Sequence, residues 1–345
     1  MVALLHILKM INSYFMKNGL ERFEFYLIKL EALLLQASKE RNAGLFLYSN
    51  DARTTIFMLE GLAKLYAGLH NKKRFTKIKE DCKLLEDALG AIDYYDSFAK
   101  EFVNNSVIPA EVTDYTQGQA REKIQRLNDL LASGNWIGEN ADRIKKMRKK
   151  LKSADWLKDD KEVKAISVFY KGSIKEINKS VAETNGRFTE IETQVHSLRR
   201  KLRWLSIYPR ALQGLIQLTE NNIIDDSLHK YLTPDTINSP FNKMPEAGNN
   251  RFFLMLEKNY FLALSWMISS LGKLKDNGLR IVVITEALQQ VRGIDHDTAL
   301  AKTYEILSNQ HPGLSTILSD ASLICGTYFK EENLDKLLSG IATIS

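Results

Sequence analysis

Cysteine is scarce in this 345-residue chain: Cys82 and Cys325 stand far apart and share no paired spacing. Neither a disulfide framework nor a zinc site is implied, and a reducing, cytoplasmic setting is expected. Proline is equally sparse, with six in all, of which Pro234, Pro240 and Pro245 crowd into one segment. The runs before Pro109, and from there to Pro209, therefore leave room for long helices, because proline breaks helix interiors. No stretch approaches the roughly 18 uncharged apolar residues that a membrane span requires, so no membrane partner is expected. Leu4, Leu8, Ile11 and Phe15 recur at helical spacing around His6, Lys9 and Asn12. That pattern predicts an amphipathic core helix rather than a signal peptide.

Enzyme signatures are also missing. No glycine-rich loop ends in Gly-Lys-Ser/Thr, and no GxGxxG opens a helix after a strand, which disfavours nucleotide hydrolysis and dinucleotide binding. Asp295-His296-Asp297 is the one string that resembles metal ligands. A metal site needs about three or four of them, so Asp295 is read as the N-cap of a helix opening toward Thr298. A non-enzymatic protein without metal or cofactor is expected.

What is present is a composition that can fold, with 44% apolar and 26% charged residues. Burial on that scale can offset chain entropy. The length suits two cores, and the expected division is residues 1–155 and 156–345. The expected class is all-α. Val163, Ile166, Tyr170, Ile174, Ile177 and Val181 repeat every three or four residues, one buried face of a helix. After Asn185-Gly186 the repeat resumes as Phe188, Ile191, Val195, Leu198, Leu202 and Leu205, the seam of helices packed side by side. Residues 221–250 are rich in Asn, Asp and Pro and read as a long connection with at most short helices. The β-branched run Ile281–Thr285 is assigned to a helix, since a lone strand there would have no evident partner.

Charge placement carries the functional reading. The net charge is +6, which favours acidic partners. In the segment VHSLRRKLR, taking His196 as zero on a helical wheel, Arg199, Arg203 and Arg200 fall at about 300°, 340° and 40°. The apolar residues of the same segment lie between about 180° and 260°, leaving a basic face clear of the buried stripe and without an acid to neutralise it. Planar guanidinium groups in such a row suit phosphate oxygens. A second cluster, Arg143, Lys145, Lys146, Arg148, Lys149, Lys150 and Lys152, spreads round its helix as a solvated surface does. Lys72, Lys79 and Lys83 form a weaker stripe.

The string HSLRRKLRW resembles the opening motif of the conserved-histidine α-helical domain family, CHAD. His196 and Arg199 match the family's His and Arg, and Arg200, Lys201 and Arg203 supply the following bases. A fainter first copy starts at Asn50-Asp51-Ala52-Arg53, where Arg53 matches the arginine and Asn50 stands in the histidine position, while Phe57 and Met58 occupy places where cations are expected. Leu89-Gly90 with Asp96, and Leu271-Gly272 with Asp276, resemble the Leu-Gly pair and acidic turn of each half. The resemblance spans about residue 50 to about residue 330 and implies two pseudo-symmetric antiparallel helical bundles around a basic channel that binds inorganic polyphosphate. The ligand-binding candidates are His196, Arg199, Arg200, Arg203, Arg53, Lys79 and Lys83. The ExExK signature of an accompanying triphosphate-tunnel enzyme is absent. The alternative is a helical interaction module docking an acidic protein partner. Nucleic acid is disfavoured, because the bases are not interleaved with aromatics for stacking.

Overall fold

The computed structural model describes residues 18–139, 141–220, 225–248, 250–308 and 311–343. The helix expected over Leu4 to Phe15 lies outside them. In chain order the helices are α1 (Asn18–Ala37), α2 (Ala43–Ser49), α3 (Ala52–Leu69), α4 (Lys72–Val103), α5 (Ala110–Ser133), α6 (Arg143–Lys152), α7 (Asp159–Ala182) and α8 (Ser197–Ala211). They continue as α9 (Pro234–Ile237), α10 (Lys258–Arg292), α11 (His296–Leu307) and α12 (Leu314–Lys330). The architecture is all-α with one small sheet, and the sparse prolines leave room for its long helices.

Two helices act as hubs. Along α3, Ile56, Phe57, Met58, Leu59, Leu62, Ala63, Leu65 and Tyr66 are all buried, which marks a helix enclosed by its neighbours. Those neighbours are α1, α2, α4, α7 and α8. The second hub, α10, runs 35 residues and packs on α5, α8, α11 and α12. Its β-branched stretch stays helical because burial overrides intrinsic propensity: Ile281, Val283, Ile284 and Thr285 are buried, and the Thr285 hydroxyl meets that of Thr303 on α11 at 2.9 Å.

The two apolar repeats read from the sequence are buried at every position, with one change of geometry. Asn185 and Gly186 take positive φ and end the first repeat, but Ile191–His196 winds as a π-helical turn before α8 begins. The Gln194 side chain accepts the backbone N–H groups of Thr189 at 2.6 Å and Glu190 at 3.2 Å, satisfying donors that a helix start leaves free.

Within the 221–250 connection the described residues form only short helical turns, Asp226–Leu228, Pro234–Ile237 and Pro240–Asn242. A small sheet, unforeseen in the sequence, flanks that connection: β1 (Ile216–Leu218) runs parallel to β2 (Phe252–Leu256), and β2 pairs antiparallel with β3 (Leu338–Thr343). Leu254 stands opposite both Ile216 and Ile341, and the sheet closes over α7.

The apolar core is continuous across residues 155 and 156. A polar seam crosses the same divide, since Glu286 on α10 accepts from the phenols of Tyr95 on α4 at 2.9 Å and Tyr115 on α5 at 2.8 Å. Arg280 on α10 also pairs with Glu101 on α4 at 2.6 Å.

Candidate functional site

Residues of α3 at positions 53, 57, 60 and 64 follow helical spacing and form one face, which turns toward the basic face of α8. At the contact, four side chains alternate as cation, ring, ring, cation. Lys64 Nζ lies 4.8 Å from the Trp204 ring centroid, Trp204 stacks on Phe57 at 4.5 Å, and the Arg203 guanidinium sits 4.7 Å over Phe57. Phe57, which stands where the sequence pattern expected a base, instead presents an aromatic face to a base from the other helix. Trp204 is a core residue, 7% exposed.

The two arginines that the sequence placed in equivalent positions rest on the two glycines that the sequence also paired. On α4, a Cβ at Gly90 would stand 2.7 Å from the Arg53 guanidinium; on α10, a Cβ at Gly272 would stand 3.0 Å from Arg199 Nε. The missing side chain lets each arginine lie against helix backbone, and Arg199 Nε uses that approach to donate to the Ile268 carbonyl at 3.1 Å.

Their electrostatic situations differ. Arg53 is paired with Glu86 at 2.9 Å and Asp93 at 2.8 Å. Among the described residues neither Arg199 nor Arg203 has a carboxylate within ion-pair distance. Burial pushes the pKa of Arg203 below its ordinary range, and the positive charges of Arg199 and Arg53 push the same way. Burial does the same to Arg199, opposed by Asp276. An arginine does not lose its proton, so these shifts mean that each charge is held at an electrostatic cost.

Further along the face, burial and repulsion from Arg200 and Lys79 bring Lys64 down to about 8, against the pull of Glu60. Glu60 is buried, and desolvation with the nearby Glu86 pushes its carboxyl up to about 7. Arg200 is exposed and, like Lys79, has no ion-pair partner among the described residues. Lys83 is spoken for, at 2.6 Å from Asp87.

One expectation requires correction. The basic face does carry an acid: Glu192, in the π turn, accepts from His196 Nδ1 at 2.8 Å. That hydrogen bond is the main reason the Glu192 carboxyl sits below its usual range. His196 therefore enters the face as one half of an ion pair when protonated.

Asp295 caps α11 through its side chain, accepting from the Thr298 N–H at 3.0 Å. Among the described residues no group of three His, Cys, Asp or Glu side chains could hold a metal ion, and no helix is long and apolar enough to cross a membrane.

Sequence reasoning missed Lys64 and Glu60, although their spacing from Arg53 would have placed them on its face. It also missed a cleft elsewhere. Lys72, Lys73, Arg74 and Lys77, from the first turns of α4, face Lys150 on α6 around a space of about 560 Å³. No protein-family profile, curated protein or solved structure matches this chain.

Proposed function

We propose that the α3/α8 face binds a polyanion, inorganic polyphosphate being the ligand its chemistry suits best. The observation that carries this reading is the pair Arg199 and Arg203: partly buried guanidinium groups, without carboxylate partners, beside the further cations Arg200 and Lys64. A cation held at a cost in the free protein gains most from an incoming anion, because the ligand supplies the counter-charge that folding left out. Guanidinium groups fixed against a ring or a backbone carbonyl also lose little further freedom on binding. Arg53, already engaged by Glu86 and Asp93, contributes to the field more than to direct contact. The resemblance to the conserved-histidine helical domain supports the same ligand class, and this reading needs no catalytic group.

The test is a titration with long-chain polyphosphate at two salt concentrations. By analogy with flexible single strands, each phosphate contacted steepens the fall of log affinity with log salt by about 0.7, so four or five contacts weaken binding about 50- to 130-fold between roughly 50 and 200 mM salt. Replacing Arg199, Arg200 and Arg203 together with Gln should flatten that slope. An affinity indifferent to salt overturns the polyanion reading. Equal affinity for poly-glutamate of matched charge would move the site to an acidic protein partner.

A further inference from the structure

The cleft between α4 and α6 lies apart from the α3/α8 face and shares none of its residues. Asn71, Lys72, Lys73, Arg74, Lys77 and Lys150 line it. Its volume of about 560 Å³ is in the range that holds small ligands. Five of the six lining residues are cations, and they come from two helices that had no reason to converge on one another except through the fold.

The cleft is braced. Arg74 Nη1 donates to the Ser153 carbonyl, at the end of α6, and to Asn71 Oδ1 at 3.4 Å, which ties the two walls together. Asn71 itself takes positive φ at 48°, a conformation asparagine tolerates better than most residues. Neutralisation within the cleft is incomplete. Lys77 has two acids at long range, Glu80 at 3.6 Å and Asp81 at 3.4 Å. Lys72, Lys73 and Lys150 have no ion pair among the described residues. Of the α6 bases, Arg148 pairs with Glu24 and Glu31, Lys146 with Asp142, and Arg143 with Asp81. Lys145, Lys149, Lys150 and Lys152 have no ion pair among the described residues, and Lys150 is the α6 base that lines the cleft.

We infer that this cleft is a second anion-binding site, built for a compact, multiply charged phosphate group rather than an extended chain. The ammonium groups act as movable point charges that can close on phosphate oxygens. Like charges with no acid among the lining residues raise the local positive potential, which favours a small ligand of high charge density.

The experiment uses the full chain and inorganic triphosphate as the probe, in two arms. In the first, lysines are acetylated with and without triphosphate and located by mass spectrometry. Lys72, Lys73 and Lys150 should be protected, while Lys179, 77% exposed and distant in sequence, serves as the unprotected reference. In the second, Lys72→Gln, Lys73→Gln and Lys150→Gln are combined, and triphosphate affinity should fall about tenfold or more, because charge-assisted contacts to phosphate are of the strong class. The Arg199, Arg200 and Arg203 triple variant should keep this affinity and the lysine protection, so failure here and failure of the α3/α8 reading are separable. Uniform acetylation with and without triphosphate, or a lysine variant that binds as wild type, overturns the inference. These side chains lie on the surface of the cleft, and a normal thermal melt confirms that the variant remains folded.

Discussion

Two groups of arginine in this protein are withdrawn from water and fare in opposite ways. Arg22 on α1 is 4% exposed, yet its charge is fully answered: Nη1 donates to Glu162 Oε2 at 2.8 Å and to the Tyr66 hydroxyl at 2.9 Å, and Nη2 donates to Asn250 Oδ1 at 3.1 Å. Tyr66 in turn donates to Glu162 Oε1 at 2.6 Å. These partners outweigh desolvation and push the Arg22 pKa above its ordinary range. Arg199 and Arg203 are shifted the other way, by burial that outweighs the pull of Asp276 on the first and of Glu86 and Asp93 on the second. The first arrangement ties α1, α3 and α7 together. The second leaves charge in want of a partner, and the difference separates a structural arginine from one available to a ligand.

The strongest way to break this comparison is to remove an answering group. Glu162→Ala should cost about 3 to 5 kcal/mol in urea unfolding, because Arg22 is left buried and uncompensated. A loss below about 1 kcal/mol would falsify the structural role assigned to the triad.

Glu60 sharpens the contrast from the acid side. Its folded pKa, raised to about 7, lies above the ordinary carboxylate value. The folded form therefore favours the proton, and the associated stability is present at low pH and lost as pH rises through about 7. Glu60→Gln should match wild type at about pH 4.5 and be more stable by about 1 to 3 kcal/mol at about pH 8. Urea titrations at the two pH values check this, and an equal difference at both would show that ionisation is not the cause.

Arg199→Gln and Arg203→Gln, made singly, should change stability by no more than about 1 kcal/mol, the cation–π contact of Arg203 offsetting relief of its repulsion. Thermal melts at low salt measure it. A cost of several kcal/mol for either variant would make that arginine structural, like Arg22.

The smallest effect is expected at Glu192. Its depressed pKa contributes stability above the ordinary carboxylate value that is lost as pH falls through the folded one. The carboxylate is 64% exposed, so Glu192→Gln should cost at most about 0.5 kcal/mol near neutral pH. The same variant should tighten polyphosphate binding, since it removes the one acid that pairs with the basic face at His196. Unchanged affinity would place His196 and Glu192 outside the ligand's reach.

Much of the fold was legible beforehand for a simple reason. A helix that buries one face records its period in the sequence, and every residue of the repeats from Val163 to Val181 and from Phe188 to Leu205 is buried. The sheet was not legible, because three short strands from positions 216, 252 and 338 declare themselves only when paired. At the site, the row Arg199, Arg200 and Arg203 could be read because its members share one helix. What Lys64 and Lys150 face could not be read, since each meets a residue of a different helix packed against its own.

The sequence by itself determined the helical class, the separation of basic from apolar faces on α8, and the glycines at 90 and 272 that let arginine approach backbone. Only the tertiary structure decided which charges are answered. Arg53 found carboxylates on α4, Arg199 and Arg203 found none within ion-pair distance among the described residues, and Lys72 came to line one cleft with Lys150. Local sequence sets the direction in which a side chain leaves its own helix, but the sign and distance of its neighbours depend on contacts between residues far apart in the chain.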